Sequence, residues 1–151
     1  MRKFEYVKQT ARQYGGILPE LPKRATKHSA GYDFYSPTDL TIPAQSTAMI
    51  WTNVKACFNE DEVLFLCVTS GMGKRGVMLC NNIGVIDCDY YGNDNNDGNI
   101  GFRLFNYTNT TYTINKGDKI GQGIFTKFLT VDNEQTINTV RQGGFGSTDK
   151  K

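Results

Sequence analysis

The chain has 151 residues, 38% of them hydrophobic and 21% charged, and a formal net charge of +2. That length suits a single domain burying roughly 70% of its unfolded surface. No apolar run approaches the ~20 residues of a membrane helix, "MRKFEYVKQT" lacks the apolar stretch of a signal peptide, and so small a charge marks neither a nucleic-acid nor a membrane surface.

Taken in chain order, "EYVKQTARQYGG" is the one stretch that reads as a helix, with Gly15 and Gly16 ending it. "SAGYDFYSP" follows, a bend that exposes the carboxylate of Asp33 after a glycine. "TAMIWTNVKACF" mixes apolar and polar positions as a half-buried strand does, and "EVLFLCV" is the continuous apolar run of a buried one. "TSGMGKRG" reads as a Gly-rich loop carrying Ser70, Gly71, Lys74 and Arg75, the kind whose backbone N–H groups approach phosphate oxygens. "VMLCNNIGVI" is a further apolar run broken by Asn81 and Asn82, and "GVIDCDYYGN" ends it with two carboxylates, two tyrosines and a glycine.

In "NIGFRLFNYT", Ile100, Phe102 and Leu104 alternate with Gly101, Arg103 and Phe105, the period of two of a strand. "YTINKGDKI" reads as strand, turn, strand, with the bend at Asn115 to Gly117, and "GDKIGQGIF" sets Gln122 between two glycines. The last segment, "RQGGFGSTDKK", has one large apolar residue, Phe145, among glycines, serine and charges, and reads alone as a flexible tail. Many short strands at regular spacing predict an all-β sandwich, jelly roll or barrel over 1–140, with an arm at 141–151.

Cys57, Cys67, Cys80 and Cys88 form no C-x-x-C pair and three lie in apolar runs, so buried, reduced thiols of an intracellular protein are expected. His28 is the single imidazole, which argues against the usual Cys/His zinc site and excludes any triad that needs a histidine elsewhere. Each chemistry-bearing stretch also has an ordinary reading: Gly-rich loops are mostly turns, Asp87 suits a turn carboxylate, and Gln122 can satisfy a backbone group. Together they are the parts of a nucleotide site that activates water: anion-binding loops, an unpaired carboxylate and aromatics suited to stacking.

Five stretches in this order resemble the motifs of the trimeric dUTPases, bacterial and bacteriophage members in particular: "AGYDFYS", "TSG", "GVIDCDYYG", "GDKIGQ" and "RQGGFGST". The resemblance runs from about Leu21 to Thr148 and is most specific in the third and fifth. It implies a distorted jelly-roll or β-barrel homotrimer with a C-terminal arm, active sites shared between subunits, and hydrolysis of dUTP to dUMP and pyrophosphate in the cytoplasm with Mg²⁺ held by the triphosphate and water. By position, Asp87 is similar to the general base whose water attacks the α-phosphorus. Asn81, Gly84, Val85 and Ile86 match the uracil-reading hairpin, and Tyr90 the ring that leaves no room for a 2′-hydroxyl. Phe145 resembles the residue that stacks on uracil; Ser70, Gly71, Lys74, Arg75, Gln122, Arg141, Gly146, Ser147 and Thr148 are the candidate phosphate contacts, with Asp33 in support.

The pattern departs in two places. Thr69 stands where the second motif has an arginine, which leaves Lys74 or Arg75 to supply that cation, and Asp149 stands where the fifth motif has a glycine. Two alternatives share the fold: a dCTP deaminase, which the uracil-type hairpin opposes, and a dUTP-sensing binding protein with weakened catalysis, which the missing arginine favours.

Overall fold

The computed structural model describes residues 1–139, 141, 143 and 144. Among them the backbone forms twelve short strands: β1 (Lys3–Tyr6), β2 (Lys23–Arg24), β3 (Tyr32–Tyr35), β4 (Leu40–Ile42), β5 (Ser46–Trp51), β6 (Val54–Cys57), β7 (Glu62–Cys67), β8 (Val77–Leu79), β9 (Gly84–Asp87), β10 (Gly101–Asn106), β11 (Tyr112–Ile114) and β12 (Lys119–Lys127). One five-residue helix, α1 (Ser70–Lys74), interrupts them. The largest sheet runs β2–β3–β12–β7–β9, a second runs β5–β10–β8, and two ribbons pair β1 with β6 and β4 with β11. Every pairing is antiparallel, and the all-β, jelly-roll-like class read from the sequence is what the chain adopts.

The core follows from the alternation. Ile100, Phe102 and Leu104 point inward and are fully buried, while Arg103 between them is exposed. On β7, Val63, Leu64 and Leu66 are buried, the signature of a strand covered on both sides. Phe34 meets Phe102 at 5.4 Å and Phe4 at 5.5 Å between ring centroids, and Phe125 packs on Phe4 and Phe58, tying the large sheet to the second one and to the β1–β6 ribbon. Strand β12 lies between β3 and β7 because it has no side chain at two inward positions. A Cβ on Gly121 would fall 2.2 Å from the Phe102 ring, and one on Gly123 would fall 2.9 Å from Leu64.

Three sequence expectations change. The predicted N-terminal helix is instead strand β1 followed by single 3-10 turns at Gln9–Ala11 and Tyr14–Gly16; Tyr14, Gly15 and Gly16 all take positive φ, which a helix cannot continue through. The long strand expected over 47–58 breaks at Thr52 and Asn53 into β5 and β6. Asn53 sits buried at φ 59°, its amide donating to the carbonyls of Gln13 (3.1 Å) and Ile17 (2.8 Å) and accepting from the Gln13 N–H (2.8 Å). The cysteines are free, as expected, yet none is fully buried: Cys80 is exposed and the other three are half-buried. No helix among the described residues is long and apolar enough to cross a membrane.

The close approach at Gly121 gives a direct test. Gly121→Ala should lower the free energy of unfolding by about 1–3 kcal/mol, the usual cost of overpacking, read as a lower urea midpoint at fixed protein concentration and unchanged m-value.

Candidate active site

The turn between β8 and β9 is built from asparagines. Asn82 takes φ 60°, its N–H donates to the Leu79 carbonyl at 3.1 Å, and exposed Asn81 precedes it. Strand β9 then pairs with β7, Gly84 opposite Leu66 and Asp87 opposite Val63. Gly84 is required there, since a Cβ would stand 3.0 Å from the Cβ of Leu66. Val85 stays 54% exposed, and a 3-10 turn at Cys88–Tyr90 carries the chain from half-exposed Asp87 to buried Tyr90. Asn81, Gly84, Val85, Ile86, Asp87 and Tyr90 thereby line one cavity of about 140 Å³, floored by Leu66 and Leu79.

Tyr90 is fixed at its polar end. Its hydroxyl donates to the Asn99 carbonyl at 2.8 Å and accepts from Asn96 Nδ2 at 2.7 Å; burial pushes its phenol above its ordinary value. Gly144 lies over the ring, where a Cβ would come within 2.7 Å of a ring carbon. Arg141 closes the same cavity. Its Nε donates to Asp89 Oδ1 at 2.7 Å, its Nη2 donates to Asp87 Oδ2, and Nη1 reaches the Gly143 carbonyl at 3.2 Å. This guanidinium grips both carboxylates of "DCD", a charge-assisted arrangement.

A second recess lies where β3, β12 and the start of α1 meet. Asp33, Ser70, Gly71 and Gln122 line it together with Lys119. Gln122 pairs across the sheet with Asp33 on one side and Cys67 on the other. A Cβ on Gly31 would sit 2.3 Å from Gln122 Oε1, so the glycine before Asp33 makes room for that amide. Asp33, expected at an exposed bend, instead lies on β3, 7% exposed, and accepts from Lys119 Nζ at 2.6 Å, a bond that raises the Lys119 ammonium above its usual range. Burial pushes the Cys67 thiol up, only partly offset by a hydrogen bond with Gln122.

The Gly-rich segment expected as a loop is α1, and Thr69 explains it. The Thr69 hydroxyl accepts from the Met72 N–H at 3.3 Å, an N-cap at the position where a phosphate-binding arginine was expected. Lys74 is exposed in the last turn. Arg75 caps α1 and donates through Nε and Nη2 to the Tyr112 hydroxyl at 3.2 and 2.9 Å, beside Gly71 at the rim of a neighbouring recess.

The sequence-derived residues therefore separate into two groups within one chain. Asn81, Gly84 to Asp87, Tyr90 and Arg141 share one cavity; Asp33, Ser70, Gly71 and Gln122 share another, and no residue lines both. Phe145, Gly146, Ser147 and Thr148 lie outside the described residues. Sequence reading missed Lys119, Asn96 and Asn99. Their only signals are a cation beside Gln122 and an asparagine-rich run, "GNDNNDGN", after the tyrosine pair.

Comparison with known proteins identifies the family and the fold. The dUTPase family model matches residues 19–149. A deoxyuridine 5′-triphosphate nucleotidohydrolase of Lactococcus lactis is 39% identical over 150 residues, spanning 98% of this chain and 97% of the relative. That of Debaryomyces hansenii is 34% identical over 137 residues, 86% of this chain and 81% of the relative. The crystal structure of a Streptococcus mutans dUTPase superimposes with a TM-score of 0.74 at 38% identity, covering 86% of this chain and 98% of that one. A dUTPase from phage phi11 of Staphylococcus aureus, 23% identical, shares the fold with a TM-score of 0.70 over 92% of this chain and 97% of its own.

One contact beside the site titrates in an accessible range. The Tyr91 hydroxyl donates to Glu5 Oε2 at 2.5 Å, and Lys55 Nζ lies 4.6 Å from the ring centroid. The bond to Glu5, then burial, raise the Tyr91 phenol from 10.0 to about 12. A folded-state value above the unfolded one contributes stability that is complete below the unfolded value of 10.0 and lost as pH climbs through about 12. Tyr91→Phe should flatten the pH dependence of unfolding free energy across that window, measured by denaturant titration at successive pH values.

Proposed function

This chain belongs to the dUTPase family and hydrolyses dUTP to dUMP and pyrophosphate, and we propose how its residues divide that work. Asn81 and the backbone of Gly84, Val85 and Ile86 read uracil. Its edge presents acceptor, donor and acceptor, whereas cytosine offers an amino donor that would leave buried polar groups unpaired. Tyr90 packs under deoxyribose and excludes a 2′-hydroxyl. Asp87 takes a proton from the water that attacks the α-phosphorus; half-exposed at the cavity rim, it needs only to be ionised and within hydrogen-bond reach of that water.

Ser70, Gly71, Gln122, Lys74 and Arg75 receive the triphosphate, with Asp33 holding Lys119 beside them. Arg75, bonded to Tyr112 next to Gly71, is the better substitute for the arginine that Thr69 replaces, since its fork can meet phosphate oxygens. The separation of the two residue groups supports a homotrimer in which the uracil half of one subunit faces the phosphate half of another. Exposed apolar residues after β12, Leu129, Val131 and Ile137, suit burial on a neighbouring copy. In this reading Arg141 leaves Asp87 and Asp89 for the phosphates, freeing the base. Phe145 then stacks on uracil while Gly146, Ser147 and Thr148 close the 141–151 arm over the triphosphate.

Mg²⁺ fits the substrate better than the protein. Among the described residues no group of three His, Cys, Asp or Glu side chains gathers, and Asp33, Asp87 and Asp89 already have cationic partners. Held by triphosphate oxygens and water, the ion neutralises charge that develops on the leaving pyrophosphate. The free cysteines suit a reducing compartment, the cytoplasm, and no nucleic-acid or membrane partner enters the scheme.

The observation that carries this reading is one cavity holding an ionisable carboxylate, a fixed aromatic face and a free strand edge at Asp87, Tyr90 and β9. The test is pyrophosphate release from dUTP, dCTP, dTTP and UTP with Mg²⁺. Release from dUTP alone is expected, and Asp87→Asn should reduce it by at least ~10²-fold with the thermal midpoint unchanged. Ammonia from dCTP, or tight dUTP binding without release, overturns it.

A further inference from the structure

Tyr90 is held by more than its own burial. Its backbone carbonyl accepts from Asn93 Nδ2 at 2.7 Å, and the same Nδ2 donates to Asn96 Oδ1 at 2.9 Å. Asn93 Oδ1 in turn accepts the backbone N–H groups of Asn95 (3.0 Å) and Asn96 (3.1 Å). Asn96 completes the ring. Its Nδ2 donates to the Tyr90 hydroxyl at 2.7 Å and lies 3.4 Å from the Asn99 carbonyl, while its Oδ1 also accepts from the Gly98 N–H at 3.1 Å. All four hydrogen-bonding positions of that amide are filled. The phenol is saturated too, donating to the Asn99 carbonyl and accepting from Asn96.

Both ends of the tyrosine, main chain and hydroxyl, are thus gripped by one short loop, and the loop is anchored in the core. Asn99, 1% exposed, donates to the Ala11 carbonyl at 3.1 Å and to Asn53 Oδ1 at 3.3 Å. Among the described residues no other side chain duplicates the Asn96 donor at the Tyr90 hydroxyl. A tilt of the ring face that lines the cavity would carry the hydroxyl away from Asn96 and from the Asn99 carbonyl.

We propose that Asn96 is a positioning residue for sugar discrimination: by fixing the Tyr90 ring it sets how completely the site rejects a 2′-hydroxyl. The inference rests on the reading of Tyr90 as the surface under deoxyribose. Exclusion by shape is short-ranged, and a ring free to tilt admits the extra oxygen, so losing Asn96 raises acceptance of ribonucleotide more than it lowers turnover of deoxyribonucleotide.

The test compares dUTP with UTP, by kcat/KM and by calorimetric binding of their non-hydrolysable α,β-imido analogues. Asn96→Asp keeps the acceptor for Gly98 and Asn93 but cannot donate to the phenol; Asn96→Ala is the second variant should the carboxylate disturb the loop. Each should lower the dUTP-over-UTP ratio by about tenfold, the size of one buried hydrogen bond, chiefly through a lower KM for UTP with kcat on dUTP nearly constant. Asn95→Ala, in the same loop but offering Asn93 only its backbone, should leave the ratio alone. In a Tyr90→Phe background, Asn96→Asp should add no further loss.

An unchanged ratio with a lower thermal midpoint would make Asn96 merely structural and overturn the proposal. So would a loss that persists in the Tyr90→Phe background. A wild-type protein that binds the deoxyribonucleotide analogue selectively yet releases no pyrophosphate would sink the catalytic reading alone, and the binding ratio would still decide the role of Asn96.

Discussion

A single row of paired residues crosses the large sheet: Lys23 opposite Asp33, Asp33 opposite Gln122, Gln122 opposite Cys67. It exists because β12 can enter between β3 and β7, and β12 can enter because Gly121 and Gly123 leave room for Phe102 and Leu64. Register has a period of two, so a slip of one residue would turn Gln122 into the core and carry Gly121 and Gly123 out of it. One step along β7, Leu66 fixes Gly84, and from there the run to Asp87 and Tyr90 is set. Gln122 and the run from Gly84 to Tyr90 are therefore set by the same strand pairing.

How much of this the sequence announces depends on how local the cause is. Strands β7, β8, β9, β10 and β12 are visible as apolar runs or strict alternation, because half-buried pleats impose that pattern directly. The break at Asn53 is not visible, since it depends on carbonyls of Gln13 and Ile17, far off in the chain. The N-terminal stretch has acceptable helix composition, but three consecutive positive φ values and the pairing of β1 with β6 override it. Propensity is a weak prior wherever a long-range contact competes.

The site shows the same division. Gln122 stands out because glycines flank it, and Asp87 and Tyr90 because a carboxylate and an aromatic pair follow directly on an apolar run. Lys119 does not stand out. Three positions before Gln122 it belongs on the opposite face of a regular strand, and a register shift between Lys119 and Gly121 swings it toward Asp33. Thr69 reads as a lost arginine until α1 is seen to start there, when it becomes a cap. Asn96 and Asn99 read as generic turn residues, since nothing in "GNDNNDGN" says which amide faces a phenol.

Strand β9 closes the large sheet and, among the described residues, has a sheet neighbour on one side only. Such an edge, with unpaired N–H and C=O groups, ordinarily invites another chain to add on, and proteins blunt it with charge or proline. Here the hairpin from Asn81 to Ile86 carries no charge and leaves Ile83 and Val85 exposed. On the proposed reading, a planar heterocycle with alternating acceptors and donors takes the part of the missing strand at this edge. Uracil bound there would be β-augmentation by a small molecule. On the same reading, bound nucleotide covers an edge that the empty protein leaves open to a second chain.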